Sequence, residues 1–343
     1  MDYSKKIYAF IVIVTIVIIL IYAQGILIPF TLAGLFWVMI RVIKKGLSLI
    51  KFTGNWPRWI LTIISSVILL GIVFLVVELI SRNIRELTSA LPAYQDNLNK
   101  IRDIINDQFN IQMSDLFNDV IKNINFSGIL SQLFSTLTGI FGDAFLVLVY
   151  LIFLLIEEPI FPHKLKAMYP DQKRYDKIKE TINKIDHSII NYMAIKSITS
   201  ILTGFLSYFV LMIVGIDAPL FWAFLIFILN YIPTVGSLIA TLFPTFFALL
   251  QFGEFTPALL IVTIVGTIQL IIGNFVEPRA MGTSLNMSPL VVILTLSLWG
   301  LIWGVTGLLL SVPITVIIII IMSEFPETQA MAILLSQRGK INV

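Results

Sequence analysis

Long apolar runs separated by short polar blocks organise this sequence. The runs occupy residues 7–40, 59–77, 136–156, 198–215, 218–253, 255–276 and 290–322. About 20 apolar residues in a helix cross the hydrocarbon core of a bilayer, which is roughly 30 Å thick. Most of the runs therefore predict membrane helices, and the pattern is typical of an all-α, polytopic membrane protein.

The first and last runs are too long for one straight crossing. In residues 7–40, Gly25 and Pro29 mark the expected break, and we predict a tight helical hairpin there. In residues 290–322, a second break is expected where small and aromatic residues cluster. These residues are Trp299, Gly300, Trp303, Gly304 and Gly307.

The run at residues 218–253 is interrupted at its middle. Asn230, Pro233 and Gly236 divide it into two arms that are each short for a full crossing. Non-helical backbone is tolerated at membrane depth only where protein or water covers it. We therefore expect a broken or re-entrant hairpin here, and whether this hairpin and that of 290–322 span or re-enter stays open.

The charges between the runs predict orientation. Residues 41–58 contain basic residues but no acidic ones, which places this block and the N-terminus in the cytoplasm by the positive-inside rule. The insert at 81–135 has nearly balanced charge and apolar residues at helical spacing, so we expect extracytoplasmic amphipathic helices. The block at 157–197 has a basic excess and a similar spacing, which predicts a cytoplasmic amphipathic region.

The predicted organisation follows from these segments. It consists of N-terminal membrane segments at 1–80, the insert at 81–135, a membrane segment at 136–156, the amphipathic region at 157–197, a membrane transport core at 198–323 and a cytoplasmic tail at 324–343. Within the core, a crossing helix followed by a broken hairpin occurs twice in opposite directions. Such inverted repeats are typical of secondary transporters.

A charged group beside the broken segments supplies the candidate transport residues. Glu277 is the candidate carrier of a proton or a sodium ion, Arg279 its counter-ion, and Asn274 a polar ligand one turn earlier. The alternative is that Pro278 ends a helix at the cytoplasmic surface, where the ion pair would be exposed. Asn230 is either a ligand for solute or ion, or part of a structural turn.

Two more polar residues lie within apolar runs. Asp143, near the predicted outer end of its run, is a candidate cation entry point or a boundary residue. Gln269 is either a ligand or a group that hydrogen-bonds between helices.

Composition and missing motifs exclude several classes of function. Hydrophobic residues make up 58% of the chain and charged residues 13%, and there is no cysteine. The sequence lacks H-E-x-x-H, P-loop and G-x-S-x-G motifs, and neither His163 nor His187 lies in a membrane run. We therefore expect no enzyme activity, cofactor, metal site or nucleic-acid partner.

The motifs resemble those of the autoinducer-2 exporter (AI-2E) family of permeases, and the similarity spans essentially the whole chain. The pattern is Asn230-Tyr231-Ile232-Pro233-x-x-Gly236, Gly273-Asn274-Phe275-x-Glu277-Pro278-Arg279-x-x-Gly282, Trp299-Gly300-x-x-x-Gly304-x-x-Gly307 and Val312-Pro313. The resemblance implies a prokaryotic plasma-membrane protein with about eight membrane segments that forms homo-oligomers. It also implies export of a small polar signalling molecule of quorum sensing, or exchange of sodium or lithium for protons.

The leading hypothesis is a secondary transporter in the lipid bilayer. It exports a small hydrophilic, autoinducer-2-like solute or exchanges a monovalent cation such as Na⁺ for H⁺, with Glu277 as the titrating group. The alternative is a membrane scaffold that moves no solute and binds partners through the insert and the amphipathic region.

Overall fold

The computed structural model describes residues 3–89, 94, 97, 100, 101, 144–282, 287–337 and 339. Most of the predicted insert and all of its boundary with the next helix, including Asp143, lie outside these residues. The helices are α1 (Tyr3–Tyr22), α2 (Gln24–Ser48), α3 (Arg58–Ser89), α4 (Ala144–Glu157), α5 (Phe161–Met168), α6 (Gln172–Val214), α7 (Pro219–Leu229), α8 (Val235–Phe252), α9 (Phe255–Ile271), a π-helical turn (Ile272–Val276), α10 (Glu277–Met281), α11 (Pro289–Ser323) and α12 (Pro326–Leu335).

The described residues form an all-α, polytopic membrane protein, as predicted. Six of the described helices are long and apolar enough to cross a membrane, or seven if the pair α4 and α5, bent by 65°, counts as one span. The exposed side chains of α3 include Ile63, Val67 and Phe74. Apolar residues so exposed along a whole helix are expected where lipid, not water, is the solvent.

The first long run breaks earlier than the sequence predicted. The interruption is the single residue Ala23, whereas Gly25 and Pro29 both lie inside α2. The backbone N–H of Ala23 still donates to the carbonyl of Ile19, so hydrogen bonding continues up to the break. Pro29 is buried within the helix, where neighbouring groups in a membrane protein can compensate for its missing donor.

Helix α6 joins two regions that the sequence analysis separated. The predicted amphipathic region and the crossing at 198–215 form one helix of 43 residues. At 1.5 Å per residue this helix is about 65 Å long, roughly twice the thickness of a bilayer core. The change from polar to apolar sequence near residue 197 therefore marks a change of environment and not the end of a helix.

The hairpin predicted at 218–253 is confirmed. Helices α7 and α8 are separated by Asn230–Thr234, and Thr234 has a positive φ of 56°. A Cβ atom at Gly236 would overlap the carbonyl of Leu229, so only glycine allows this close approach. The arms are unequal: α8 has 18 residues and qualifies as a span, whereas α7 has 11 and does not.

The second predicted break, within 290–322, is also confirmed. Trp303 and Gly304 have non-helical backbone angles inside α11, and Gly304 has φ 59° and ψ −138°. The indole N–H of Trp299 donates to the hydroxyl of Thr315 at 3.3 Å, although 16 residues separate them. A straight helix would place these residues about 24 Å apart, so the chain reverses direction between them.

The remaining residues of this second motif lie within helix. Gly300 and Gly307 precede and follow the break, and the backbone at Gly307 lies against the carbonyl of Trp299. Pro313 is buried inside the helix after the break, so it does not itself interrupt the chain.

Contacts divide the chain into two compact units. The first comprises Met1–Leu69, Ile140–Met193 and Thr283–Val343, and the second Leu70–Gly139 and Ala194–Gly282. In the first unit, the bidentate pair of Arg41 with Asp186 links α2 to α6, and apolar packing joins α2 to α4. In the second unit, an aromatic and aliphatic core around Phe221, Trp222 and Phe247 joins α7, α8 and α9.

Candidate functional site

A cavity of about 400 Å³ lies within the second unit. Its walls come from α6, from the break between α7 and α8, from α8, and from the continuous path of α9, the π turn and α10. The polar lining residues are Lys196, Asn230, Thr234, Ser237, Thr241, Gln269, Asn274 and Glu277. The described residues thus bring together four of the candidate residues from the sequence: Glu277, Asn274, Asn230 and Gln269.

A buried ion pair lies at the edge of this cavity. The Nζ atom of Lys196 donates to Oε1 of Glu277 at 2.5 Å, and their side chains are only 3% and 14% exposed. Taking two such charges out of water is costly, and the pair is tolerated because each neutralises the other. An ionisable pair buried inside a membrane protein is a candidate functional site.

The π turn at Ile272–Val276 sets the position of Glu277. In an uninterrupted α-helix, eight residues advance the chain by about 800°, which would leave Glu277 about 80° around the axis from Gln269. The wider turn, in which the N–H of Glu277 donates to the carbonyl of Ile272, turns Glu277 back toward the face of Gln269. Such π turns are frequent at functional sites.

The alternative interpretation expected the helix to end at Pro278, but the helix continues through this residue. Pro278 is the second residue of α10, which continues to Met281 before the positive φ of Gly282 ends it. Proline is favoured in the first turn of a helix, where its missing N–H has no intrahelical partner in any case. The π turn therefore lets the helical path continue through the charged motif.

Arg279 does not pair with Glu277. Its guanidinium group is 6.0 Å from the ring centroid of Phe275, and its side chain is exposed. Lys196 provides the charge that the sequence analysis assigned to Arg279. Asn274 lies within the π turn and lines the cavity beside Glu277.

Asn230 is buried and fixes the break between α7 and α8 to α6. Its side-chain amide donates to the hydroxyl of Ser200 at 3.1 Å, and the hydroxyl of Tyr231 donates to Ser197 at 2.8 Å. Pro233 follows on the same short segment and also lines the cavity. The break is thus held by hydrogen bonds to the helix that carries Lys196.

Gln269 is the most unusual polar group of the cavity. It is 6% exposed and neither its Oε1 nor its Nε2 atom has a hydrogen-bond partner among the described residues. Buried polar groups are almost always paired, and each exception requires an explanation. An amide that joined two helices by a hydrogen bond would have a partner, so the geometry favours the ligand interpretation of Gln269.

Sequence reasoning missed Lys196, although the sequence contains a signal for it. Small hydroxyl residues follow it at helical spacing and are all buried: Thr199, Ser200, Thr203 and Ser207. A lysine at the start of a polar stripe on an otherwise apolar membrane helix indicates an inward-facing charge. The sequence analysis instead counted Lys196 among the basic residues of the cytoplasmic block.

The sequence profile of the AI-2E family transporters matches residues 9–327. The chain belongs to this family. Members of the AI-2E family that resemble it include the AI-2 transport protein TqsA of Escherichia coli, which is 32% identical over 93% of this chain and 92% of TqsA.

Two further AI-2E relatives have names that assign them to transport only provisionally. A Haemophilus influenzae protein is 32% identical over 91% of this chain and 90% of its own length. A Borreliella burgdorferi protein is 34% identical over 73% of this chain and 68% of its own length. The family identifies a membrane transporter.

Proposed function

We propose that this AI-2E protein is a secondary transporter that couples movement of a small hydrophilic solute, or of a monovalent cation, to protons through the Lys196–Glu277 pair. The buried pair at the edge of the cavity carries this proposal. We place the protein in the prokaryotic inner membrane and take export as its direction, as the family favours. The basic block at 41–58 favours an orientation with both termini in the cytoplasm.

The chemistry of coupling follows from the geometry of the pair. Protonation of Glu277 removes the charge that neutralises Lys196, and the 2.5 Å contact then loses its electrostatic attraction. Binding of a cation or of a polar solute group to the carboxylate would have the same effect on Lys196. Proton and solute therefore compete for one carboxylate, which is the physical basis of exchange.

Transport also requires a route for a polar solute, and the broken hairpin provides polar groups for one. Helical backbone has no free hydrogen-bonding groups, whereas the break at 230–234 leaves backbone and side-chain groups beside the cavity. Discontinuous helices that meet at a polar cavity form the binding sites of many secondary transporters. The break and the ion pair line the same cavity here.

Flux from proteoliposomes under an imposed pH gradient tests the proposal. Sodium, lithium and a furanosyl signalling solute are compared with wild type and Glu277→Gln. Wild type should move one of them in proportion to the gradient, and Glu277→Gln should lose that dependence. The double variant Lys196→Met/Glu277→Gln is the folding control, because it removes both charges. Equal dependence on the gradient in wild type and Glu277→Gln would reject the proposal.

A further inference from the structure

Gln269 lines the cavity and carries a buried amide that has no hydrogen-bond partner among the described residues. Its neighbours on the same face of the helix, Gly266 one turn before and Gly273 one turn after, have no side chains, and both also line the cavity. Residues at this spacing share one helix face. Gln269 therefore lies between two positions of the same helix face that carry no side chain.

An unpaired buried amide destabilises the protein unless something else pairs with it. A buried donor or acceptor without a partner has lost its hydrogen bonds to water and gained none in return. Both amide atoms of Gln269 are buried in this conformation, and the residue itself is part of the cavity wall. Pairing with a bound solute therefore requires a rotation of the Gln269 side chain that turns the amide into the cavity.

The chemistry of the cavity selects the class of solute. The amide has an acceptor oxygen and a donor nitrogen side by side, and only a group that both donates and accepts satisfies the two together. A bare cation would pair with Oε1 alone and an anion with Nε2 alone. The charged lining residues, Lys196 and Glu277, already pair with each other, so a charged solute would have to break this pair, whereas a neutral solute need not.

We infer that Gln269 is a solute-binding and specificity-determining residue, and that the cavity recognises a neutral solute through a hydroxyl or amide group held by the Gln269 side chain. This inference rests on the proposed function, because it assigns the solute of the same cavity. The hydroxyl groups of Ser237 and Thr241 on α8 already donate to backbone carbonyls, so their oxygens would accept a further bond from such a solute.

Equilibrium binding to the purified full-length protein in detergent tests the inference without any gradient. The probes are D-ribose, ribose 5-phosphate and sodium chloride, and the proteins are wild type, Gln269→Leu and Gln269→Glu. Gln172→Leu is the matched control, since Gln172 lies on an exposed position outside the cavity. Binding is measured by isothermal titration calorimetry, and unfolding temperature by differential scanning fluorimetry.

Wild type and Gln172→Leu should bind ribose more tightly than either charged probe. Gln269→Leu should weaken ribose binding about tenfold or more, which corresponds to roughly 1.4 kcal/mol. Without solute, Gln269→Leu should unfold at the same temperature as wild type or higher, because the unpaired amide is gone. This separates a binding role from a structural one, which would lower the unfolding temperature.

Three results would overturn the inference: unchanged ribose affinity in Gln269→Leu, preference of wild type for a charged probe, or no binding of any probe by wild type. The inference and the proposed function fail separately. If Gln269→Leu loses ribose binding while Glu277→Gln keeps full proton coupling, only the coupling role of Glu277 is rejected. If Glu277→Gln loses coupling while Gln269→Leu keeps its affinity, only the role of Gln269 is rejected.

Discussion

Lys196 and Glu277 form a buried ion pair although 81 positions separate them in the sequence. One comes from a long helix that extends beyond the apolar region, and the other follows a π turn in a different helix. The same cavity is lined by both residues and by the break between α7 and α8. The cavity therefore brings together the charged motif and the broken hairpin, the two features that the sequence singled out separately.

Removing one member of the pair should destabilise the protein much more than removing both members together. Lys196→Met leaves Glu277 without its counter-ion in a buried position, and we expect a loss of about 3–5 kcal/mol in the free energy of unfolding. The double variant Lys196→Met/Glu277→Gln should recover most of this loss. Chemical unfolding in detergent, followed by tryptophan fluorescence, measures both.

The pair between Lys164 and Glu157 provides a matched control for this prediction. Its N–O distance is also 2.5 Å, but its side chains are 57% and 43% exposed. Exposed ion pairs contribute less than about 1 kcal/mol. Lys164→Met should therefore have little effect, and a loss equal to that of Lys196→Met would contradict the role of burial.

Gly236 should not tolerate a larger residue. In Gly236→Ala the new methyl group meets the carbonyl of Leu229, so the start of α8 must move, at a cost of about 1–3 kcal/mol. Gly71→Ala is the control, because a Cβ atom at Gly71 has no neighbour within 4 Å and alanine is the better helix former. The unfolding temperature should fall for Gly236→Ala and stay equal or rise for Gly71→Ala. A lower unfolding temperature for Gly71→Ala than for Gly236→Ala would exclude a tight turn at Gly236.

Gly304 should be equally intolerant for a different reason. Its backbone angles, φ 59° and ψ −138°, are unfavourable for any residue with a side chain and cost about 1–3 kcal/mol. Gly304→Ala should thus lower the unfolding temperature. Gly34→Ala should not, because Gly34 lies within α2 and a Cβ atom there has no neighbour within 4 Å. Equal temperatures for the two variants would mean that the chain does not reverse at Gly304.

Thiol labelling tests whether water reaches the cavity. The native chain has no cysteine, so an introduced thiol is the sole point of reaction. Thr234 is exposed at the break and lines the cavity, whereas Ala240 is fully buried. A membrane-impermeant maleimide should modify Thr234→Cys much faster than Ala240→Cys in intact membranes. Equally slow labelling of both variants would indicate that the cavity is closed to water on both sides of the membrane. If Thr234→Cys is labelled, the side of the membrane from which the maleimide reaches it gives the orientation of the protein.

The local signals in the sequence were sufficient for both broken hairpins. Asn230, Pro233 and Gly236 disfavour continuous helix by their own backbone chemistry, and so does the cluster around Gly304. Such effects act over a few residues, so sequence alone locates them. The sequence around Ala23 carries no comparable signal. The break predicted at Gly25 and Pro29 therefore lay two residues or more from the observed break.

Contacts distant in sequence could not be predicted in the same way. The sequence placed Arg279 beside Glu277 because two positions separate them, but the turn of the helix directs the two side chains apart. Lys196 comes from a distant helix, and only packing brings it close. The boundary drawn near residue 197 lies inside α6, because hydrophobic patterning reports which solvent surrounds a helix and not where the helix ends.

Proton movement during solute flux tests the coupling by Glu277 most directly. A pH-sensitive dye trapped in proteoliposomes records proton movement when a gradient of the transported solute is imposed, with no pH gradient at the start. Wild type should change the internal pH as solute moves, and Glu277→Gln should move no protons with solute. Equal changes of internal pH in wild type and Glu277→Gln would contradict the assignment of Glu277 as the coupling group.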